Sequence, residues 1–287
     1  MTIFDMKNVR RIAAFSDGSR GGNPAGVLVA DQLPSDQDMQ AIAGAVGYSE
    51  TAFAAWDGDR WRVRYFAPES EVAFCGHATI ALGAVLTEMK GPNTYPLRTN
   101  AGDISVTGQT SAAGQSQVQL SSPPTKSKRA DPALLQQALY LFDLTPDDLD
   151  PQLPPAIANA GNDHLVLALK DRERLSRMEY DFEAGRRLMR DHGLTTINLI
   201  KVETPRMFHS RNAFAIGGVT EDPATGAAAA ALGGYLRDIN WPHEGQIEIA
   251  QGVDMGMPSK LNVRIPHESG TPVHVSGGTR NIDEVNR

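Results

Sequence analysis

The chain of 287 residues holds one cysteine, Cys75. That excludes an intrachain disulfide, and with it any mechanism that needs two thiols of one chain facing a single substrate carbon. Positive charge is also scarce. Against 34 acidic residues stand 27 basic ones, a formal net charge of −7, so no global field favours nucleic acid or an anionic membrane as partner. Long apolar runs are missing: Ala224 to Gly234 is too short and too Ala-rich to cross a bilayer, and Met1 to Ala30 carries DMKNVRR and no apolar signal-like stretch. The expectation is a soluble, cytoplasmic protein. A Gly-Lys-Ser/Thr phosphate loop and a Gly-x-Ser-x-Gly elbow are absent, and the glycines of Gly18 to Gly26 lack the strand and helix context of a nucleotide fingerprint. The seven histidines are scattered without metal-ligand spacing. What remains is proton chemistry in a shaped anion site, with neither metal nor organic cofactor expected.

What the chain does have is one peptide written twice. CGHATIALGAVL (Cys75 to Leu86) and TGAAAAALGGYL (Thr225 to Leu236) match at six of twelve positions, and Glu71 and Glu221 fall at the same 150-residue offset. A period this long points to two similar halves rather than a solenoid. Small side chains let a helix pass through a closely packed shell, so both repeats are expected as interior helices, near 76–89 and 223–237. Each is entered through a Gly-containing turn, and first-turn amides of a helix have no intrahelical partner. Two such helix starts that converge would seat a carboxylate substrate.

The rest of the pattern is mixed. Val9 to Phe15 and Gly26 to Val29 read as strands around a Gly21-Gly22-Asn23-Pro24 turn. Ser35 to Val46 has helical spacing, with Ser35 as N-cap and Gly47 as stop. Ser49 to Ala55 and Arg60 to Phe66 alternate as strands, and Gly102 to Leu120 reads as a hairpin with a loose tip over Gly108 to Gln117. Ser121-Ser122-Pro123-Pro124 through Arg129 reads as the linker. Helical patterns follow at Pro132 to Leu141 and Asp181 to His192, strand patterns at His164 to Leu169, Thr196 to Val202, Arg206 to Phe214, Gln246 to Ala250, Lys260 to Ile265 and Pro272 to Val275. The class is α+β with mostly antiparallel pairing: an N-terminal barrel-like domain over residues 1–120 and a C-terminal one over 130–287, each around its central helix, with the last strand a candidate to return to the first domain.

Several residues are candidates for chemistry. Glu50, on a strand from Ser49, shares a face with Ala52 and Ala54. A carboxylate there is either desolvated and able to take and return a proton near neutral pH, or a solvent-facing decoration. His77 follows the helix-entry Gly76 and either meets a ligand or caps the helix. Asp222 precedes Pro223 and suits an N-cap with proline in the first helical position. Arg211 either binds a substrate carboxylate or pairs with Glu221. Cys75 reads as a small buried side chain rather than a nucleophile.

GNPAGVLV, SETAF, EVAFCGHATIA and EDPATGAA, in that order across about 200 residues, resemble the PhzF-like family, named for phenazine biosynthesis, of the diaminopimelate epimerase-like fold. The resemblance implies two similar barrel-like domains around central helices, a site between them, a homodimer, and no metal or organic cofactor. It also implies isomerase activity on a small carboxylate, similar to that on trans-2,3-dihydro-3-hydroxyanthranilate. The family's acid/base glutamate falls on Glu50, its histidine on His77 and its aspartate on Asp222. Asn23, Ser49, Gly76, Gly226, Ala227 and Arg211 are the candidate substrate-binding residues. Where the family usually has Ser after Thr-Gly the chain has Ala227, Ile216 stands where Pro is common, and Met257 where Arg is common. These departures motivate an alternative, a member of the fold that binds small molecules or proteins without turnover. A racemase with Glu50 and His77 as its two bases is a third reading.

Overall fold

A computed structural model describes residues 6–110 and 116–282. The chain divides into two compact units, one of residues up to Ser121 together with those from Ser276 onward, the other Ser122 to Val275.

In the first unit, β1 (Arg10–Ser16) and β2 (Asn23–Ala30) pair antiparallel across Gly21 and Gly22, both at positive φ. α1 (Asp36–Val46) begins and ends on its caps: Ser35 Oγ accepts the Asp38 amide at 3.1 Å, and Gly47 turns the chain at φ 72°. β3 (Thr51–Trp56) then lies parallel to β2, and β4 (Trp61–Phe66) antiparallel to β3, with Trp61, Val63 and Tyr65 buried. The short β5 (Glu71–Val72) leads into α2 (Gly76–Lys90). β6 (Asn93–Thr99) is parallel to β4, and β7 (Gly102–Thr110) pairs with β6 and with β8 (Ser116–Pro124). The hairpin is therefore observed, while its tip at 111–115 lies outside the described residues.

α2 is buried from His77 to Thr87 and packs against β1, β2, β3, β6 and β7. Small residues make this possible. A Cβ on Gly83 would sit 2.6 Å from Val118 Cγ1 and 2.8 Å from Val106 Cγ2, both of fully buried valines. Gly83→Ala is therefore expected to lower stability by about 1–2 kcal/mol, overpacking outweighing the gain in helix propensity; a urea midpoint unchanged or raised would show that the shell yields.

The second unit holds β9 (Lys126–Arg129), α3 (Pro132–Leu141), β10 (Ala156–Asn159), β11 (Asp163–Leu169), α4 (Arg172–Ser176), α5 (Phe182–Asp191), β12 (Thr196–Thr204), β13 (Met207–Ala213), β14 (Glu221–Asp222), α6 (Gly226–Asp238), β15 (Gln246–Gln251), β16 (Ser259–Arg264) and β17 (Pro272–Asn281), whose end belongs to the first unit. α3 and α5 cover a core that includes Leu134, Leu165, Leu167, Leu188 and Ile197. α6 packs against β9, β10, β11, β15 and β16, and a Cβ on its Gly234 would lie 2.5 Å from Thr125.

Two expectations change in detail and a third holds with exceptions. The units divide at Ser121 and Ser122, within the stretch read as the linker, but that stretch is strand rather than coil, because β8 continues through Pro124 and β9 follows at once; the two prolines end a strand, where a missing N–H costs little. The second central helix starts at Gly226 rather than Pro223. Pairing is mostly antiparallel, as expected, but β2 with β3, β4 with β6, β11 with β12 and β13 with β15 are parallel, and each pair is bridged by a helix, as a parallel crossover requires.

His164 on β11 is fully buried, with Nδ1 2.7 Å from Thr196 Oγ1 and Nε2 without a hydrogen bond. Burial pushes its pKa down to about 4. The folded state thus binds the proton less readily than the unfolded chain, so stability is full above pH 6.5 and is lost as pH falls towards 4. About 3 kcal/mol goes over that window. Urea midpoints at pH 7.5 and 4.5 should differ less in His164→Asn than in the parent; equal slopes would assign the acid sensitivity elsewhere.

Candidate active site

Glu50 comes just before β3. Its carbonyl accepts the Gly26 amide at 3.2 Å, where β2 and β3 come together in parallel. A Cβ on Gly26 would lie 2.6 Å from Thr51 Oγ1, so the second glycine of GNPAG sets this close approach. The strand begins at Thr51, not Ser49, and the Glu50 side chain is 14% exposed, so the solvent-facing reading does not hold.

The other wall is the start of α2. Tyr65 and Thr79 share a 2.6 Å hydroxyl contact, and the Thr79 hydroxyl donates to the Cys75 carbonyl, also at 2.6 Å. Burial pushes the Tyr65 pKa up, which keeps the phenol neutral. Cys75 is the N-cap, and its side chain accepts no hydrogen bond from the helix, so the capping role weighed for His77 is not taken by the N-cap side chain. His77 Nε2 lies 3.3 Å from Ser49 Oγ and 3.4 Å from Glu50 Oε2, while Nδ1 lies 3.3 Å from Cys75 Sγ. Glu50 Oε2 is buried and makes no hydrogen bond. Ser49, Glu50, Gly76 and His77 are thus brought together with Cys75, which sequence reading treated as filler. Asn23 is buried at the head of β2, opposite Ala14.

The second unit builds a related helix start. Thr225, not Asp222, is the N-cap of α6, again with no side-chain bond to the helix. The Thr225 hydroxyl donates to Asp222 Oδ2 and accepts from Asn212 Nδ2 at 2.6 Å. Gln251 closes the set, donating to the Asp222 carbonyl at 2.7 Å and accepting from the Thr225 amide at 3.2 Å. Asp222 is therefore a residue of β14 fixed by its neighbours, and Gly226 and Ala227 open the helix beside it. Asn212 and Gln251 were not found from sequence, since neither belongs to the repeated peptide.

Arg211 takes the second role weighed for it, pairing with Glu221. Its Nε and Nη2 donate to Glu221 and its Nη1 to the carbonyls of Ser176 and Met178. Burial would lower its pKa, yet the bond to Glu221 holds it above its ordinary value. Arg64 makes the same bond to Glu71 in the first unit. In each unit the arginine stands two residues before the strand position paired with the glutamate, Phe66 with Glu71 and Ala213 with Glu221, so both are clamps of the strand that leads into the central helix.

A mixed α/β architecture of this kind defines the fold shared by proline racemase-type proteins: a probable proline racemase from Agrobacterium radiobacter K84 aligns with a TM-score of 0.63 at 11% identity, over 96% of this chain and 90% of that one. Residues 12–281 match the phenazine biosynthesis-like (PhzC-PhzF) family, and the chain belongs to it. The PhzF-family protein of Bacillus anthracis aligns with a TM-score of 0.84 and 23% identity over 96% of both chains. An uncharacterized isomerase of Deinococcus radiodurans is 31% identical over 91% of this chain and 87% of its own length, and the uncharacterized isomerase YfhB of Bacillus subtilis (strain 168) is 28% identical over 93% of each. Among the described residues no helix is long and apolar enough to cross a membrane.

Proposed function

We propose that the protein is a cofactor-independent isomerase that moves a proton within a small carboxylate substrate, similar to trans-2,3-dihydro-3-hydroxyanthranilate isomerase. The observation that carries this reading is the buried Glu50 Oε2, without a hydrogen bond and 3.4 Å from His77 Nε2, beside a central helix whose N-cap side chain leaves the first amides open. A buried acceptor without a donor is costly, and a substrate C–H or a proton in transit removes that cost. Relatives named isomerases support the class.

In this mechanism the substrate carboxylate lies against the Gly76 and His77 amides, where the helix dipole favours negative charge. Glu50 takes a proton from an activated carbon, the charge spreads through the conjugated system, and Glu50 returns the proton at another carbon. His77, held between Ser49 and Cys75, orients a polar group of the substrate and shares the proton with Glu50. The test is to incubate the protein with trans-2,3-dihydro-3-hydroxyanthranilate in D₂O and follow the product by NMR. Double-bond movement is expected, with deuterium at the new carbon in the fraction of turnovers in which the proton on Glu50 exchanges with solvent before it is returned. Deuterium uptake at one stereocentre without that movement would make the protein a racemase instead, and binding with neither double-bond movement nor exchange would make it a binding protein.

A further inference from the structure

Tyr140, near the end of α3, is 88% exposed, and among the described residues its hydroxyl has no hydrogen-bond partner and its ring no aromatic neighbour. It stands at the mouth of a groove of about 630 Å³ between α3 and α5, in the second unit. We propose that this face is a homodimer interface, an isologous contact in which Tyr140 of each protomer fills the far end of its partner's groove.

Single exposed aromatics are common on monomers; what sets this one apart is the hole beside it. Two rows at helical spacing line the groove, Ala133, Gln137 and Tyr140 from α3 and Ala184, Leu188 and Asp191 from α5. α5 runs back along α3. Ahead of it the Tyr180 ring lies 5.2 Å from that of Phe142, and at its end His192 Nε2 lies 3.1 Å from Gln137 Oε1. Asp191 therefore lies toward the Ala133 end. Ala133 and Tyr140 are two helical turns apart, about 10 Å, so a bulky projection marks one end of the groove and a methyl group the other. A two-fold axis through the middle exchanges the ends. It lays each Tyr140 ring over the partner's Ala133, with the hydroxyl toward the partner's Asp191 carboxylate.

The charges agree with a partner of the same sequence. Arg187 lines the groove between Asp181 and Asp191 and, among the described residues, forms no ion pair within its own chain. Exchange of ends brings an acid of either copy within reach of the other's guanidinium, so one patch carries both halves of the match. A foreign partner would need the hole or the knob, not both on one face. Tyrosine and arginine are also the side chains that most often carry the energy of such contacts. The surface goes beyond the isomerase reading and does not rest on it.

The test is sedimentation of the full-length protein over a concentration series, where a monomer–dimer equilibrium is expected. Tyr140→Glu changes a side chain outside the core, so its circular dichroism should match the parent's while its dissociation constant rises at least about tenfold. With p-benzoylphenylalanine in place of Tyr140, irradiation should give a covalent dimer in which position 140 is joined to residues 131–137 of the other copy. A parent that stays monomeric at every concentration, a dimer that Tyr140→Glu leaves intact, or crosslinks that map away from α3 and α5 would overturn the interface. Catalysis enters none of these readouts, so failure of the isomerase reading would leave each of them unchanged.

Discussion

Glu50→Gln is expected to lower turnover of trans-2,3-dihydro-3-hydroxyanthranilate by about 10²–10⁴-fold, with KM little changed. The substitution keeps the shape of the side chain and leaves untouched the backbone bond from Gly26 that places it. What it removes is the ability of Oε2 to accept and return a proton. A thousandfold loss is about 4 kcal/mol of barrier, within what a positioned acid–base group contributes. Binding through the helix amides does not depend on that oxygen, hence the split between the two constants. Ser49→Ala, which removes one contact of His77 and no proton carrier, should cost far less. Full activity in Glu50→Gln would end the role assigned to this carboxylate; parallel loss of binding would make it a substrate ligand instead.

Much of the scaffold could be read from the chain because local chemistry decided it. Ser35 and Gly47 bound α1 as their capping preferences require, and α3 runs over the residues its periodicity marks, Pro132 to Leu141. The duplicated peptide gave both central helices, yet the start of the second was misjudged. Asp222-Pro223 is a strong local start signal, but residues 221 and 222 pair with β13 as β14, and that tertiary pairing holds the chain extended past the proline. The repeat itself aligned Thr225 with Cys75, and both are N-caps. Parallel pairings escaped notice because alternation reports which face of a strand is buried, not which strand lies beside it. At the site, Glu50 and His77 were visible through the family motifs. The place of Cys75 beside them was not, since Glu50 lies 25 positions away and only folding brings thiol, imidazole and carboxylate within 4.8 Å of one another.

The equivalence of Arg64 and Arg211 was hidden for a different reason, and it leads to the second large effect. Phe66 to Glu71 is five steps along the chain, whereas Ala213 to Glu221 is eight, so the loop inserts three residues and the arginines fall out of register with the 150-residue repeat. Arg211→Met is expected to cost about 3–5 kcal/mol, because it leaves the Glu221 carboxylate, 5% exposed, without its partner. It also strips the donors from the carbonyls of Ser176 and Met178, which tie the end of α4 to β13. Adding Glu221→Gln should restore part of the loss, since the penalty lies in the abandoned charge rather than in the pair itself. Arg64→Met should cost less, because Glu71 is 27% exposed and water can take over its solvation. Urea midpoints of the three variants and the parent at one pH decide the matter. A residue whose task is to hold a substrate carboxylate behaves in the opposite way: Arg211→Met would then fold as stably as the parent and fail only in binding, and that result would return Arg211 to the substrate site.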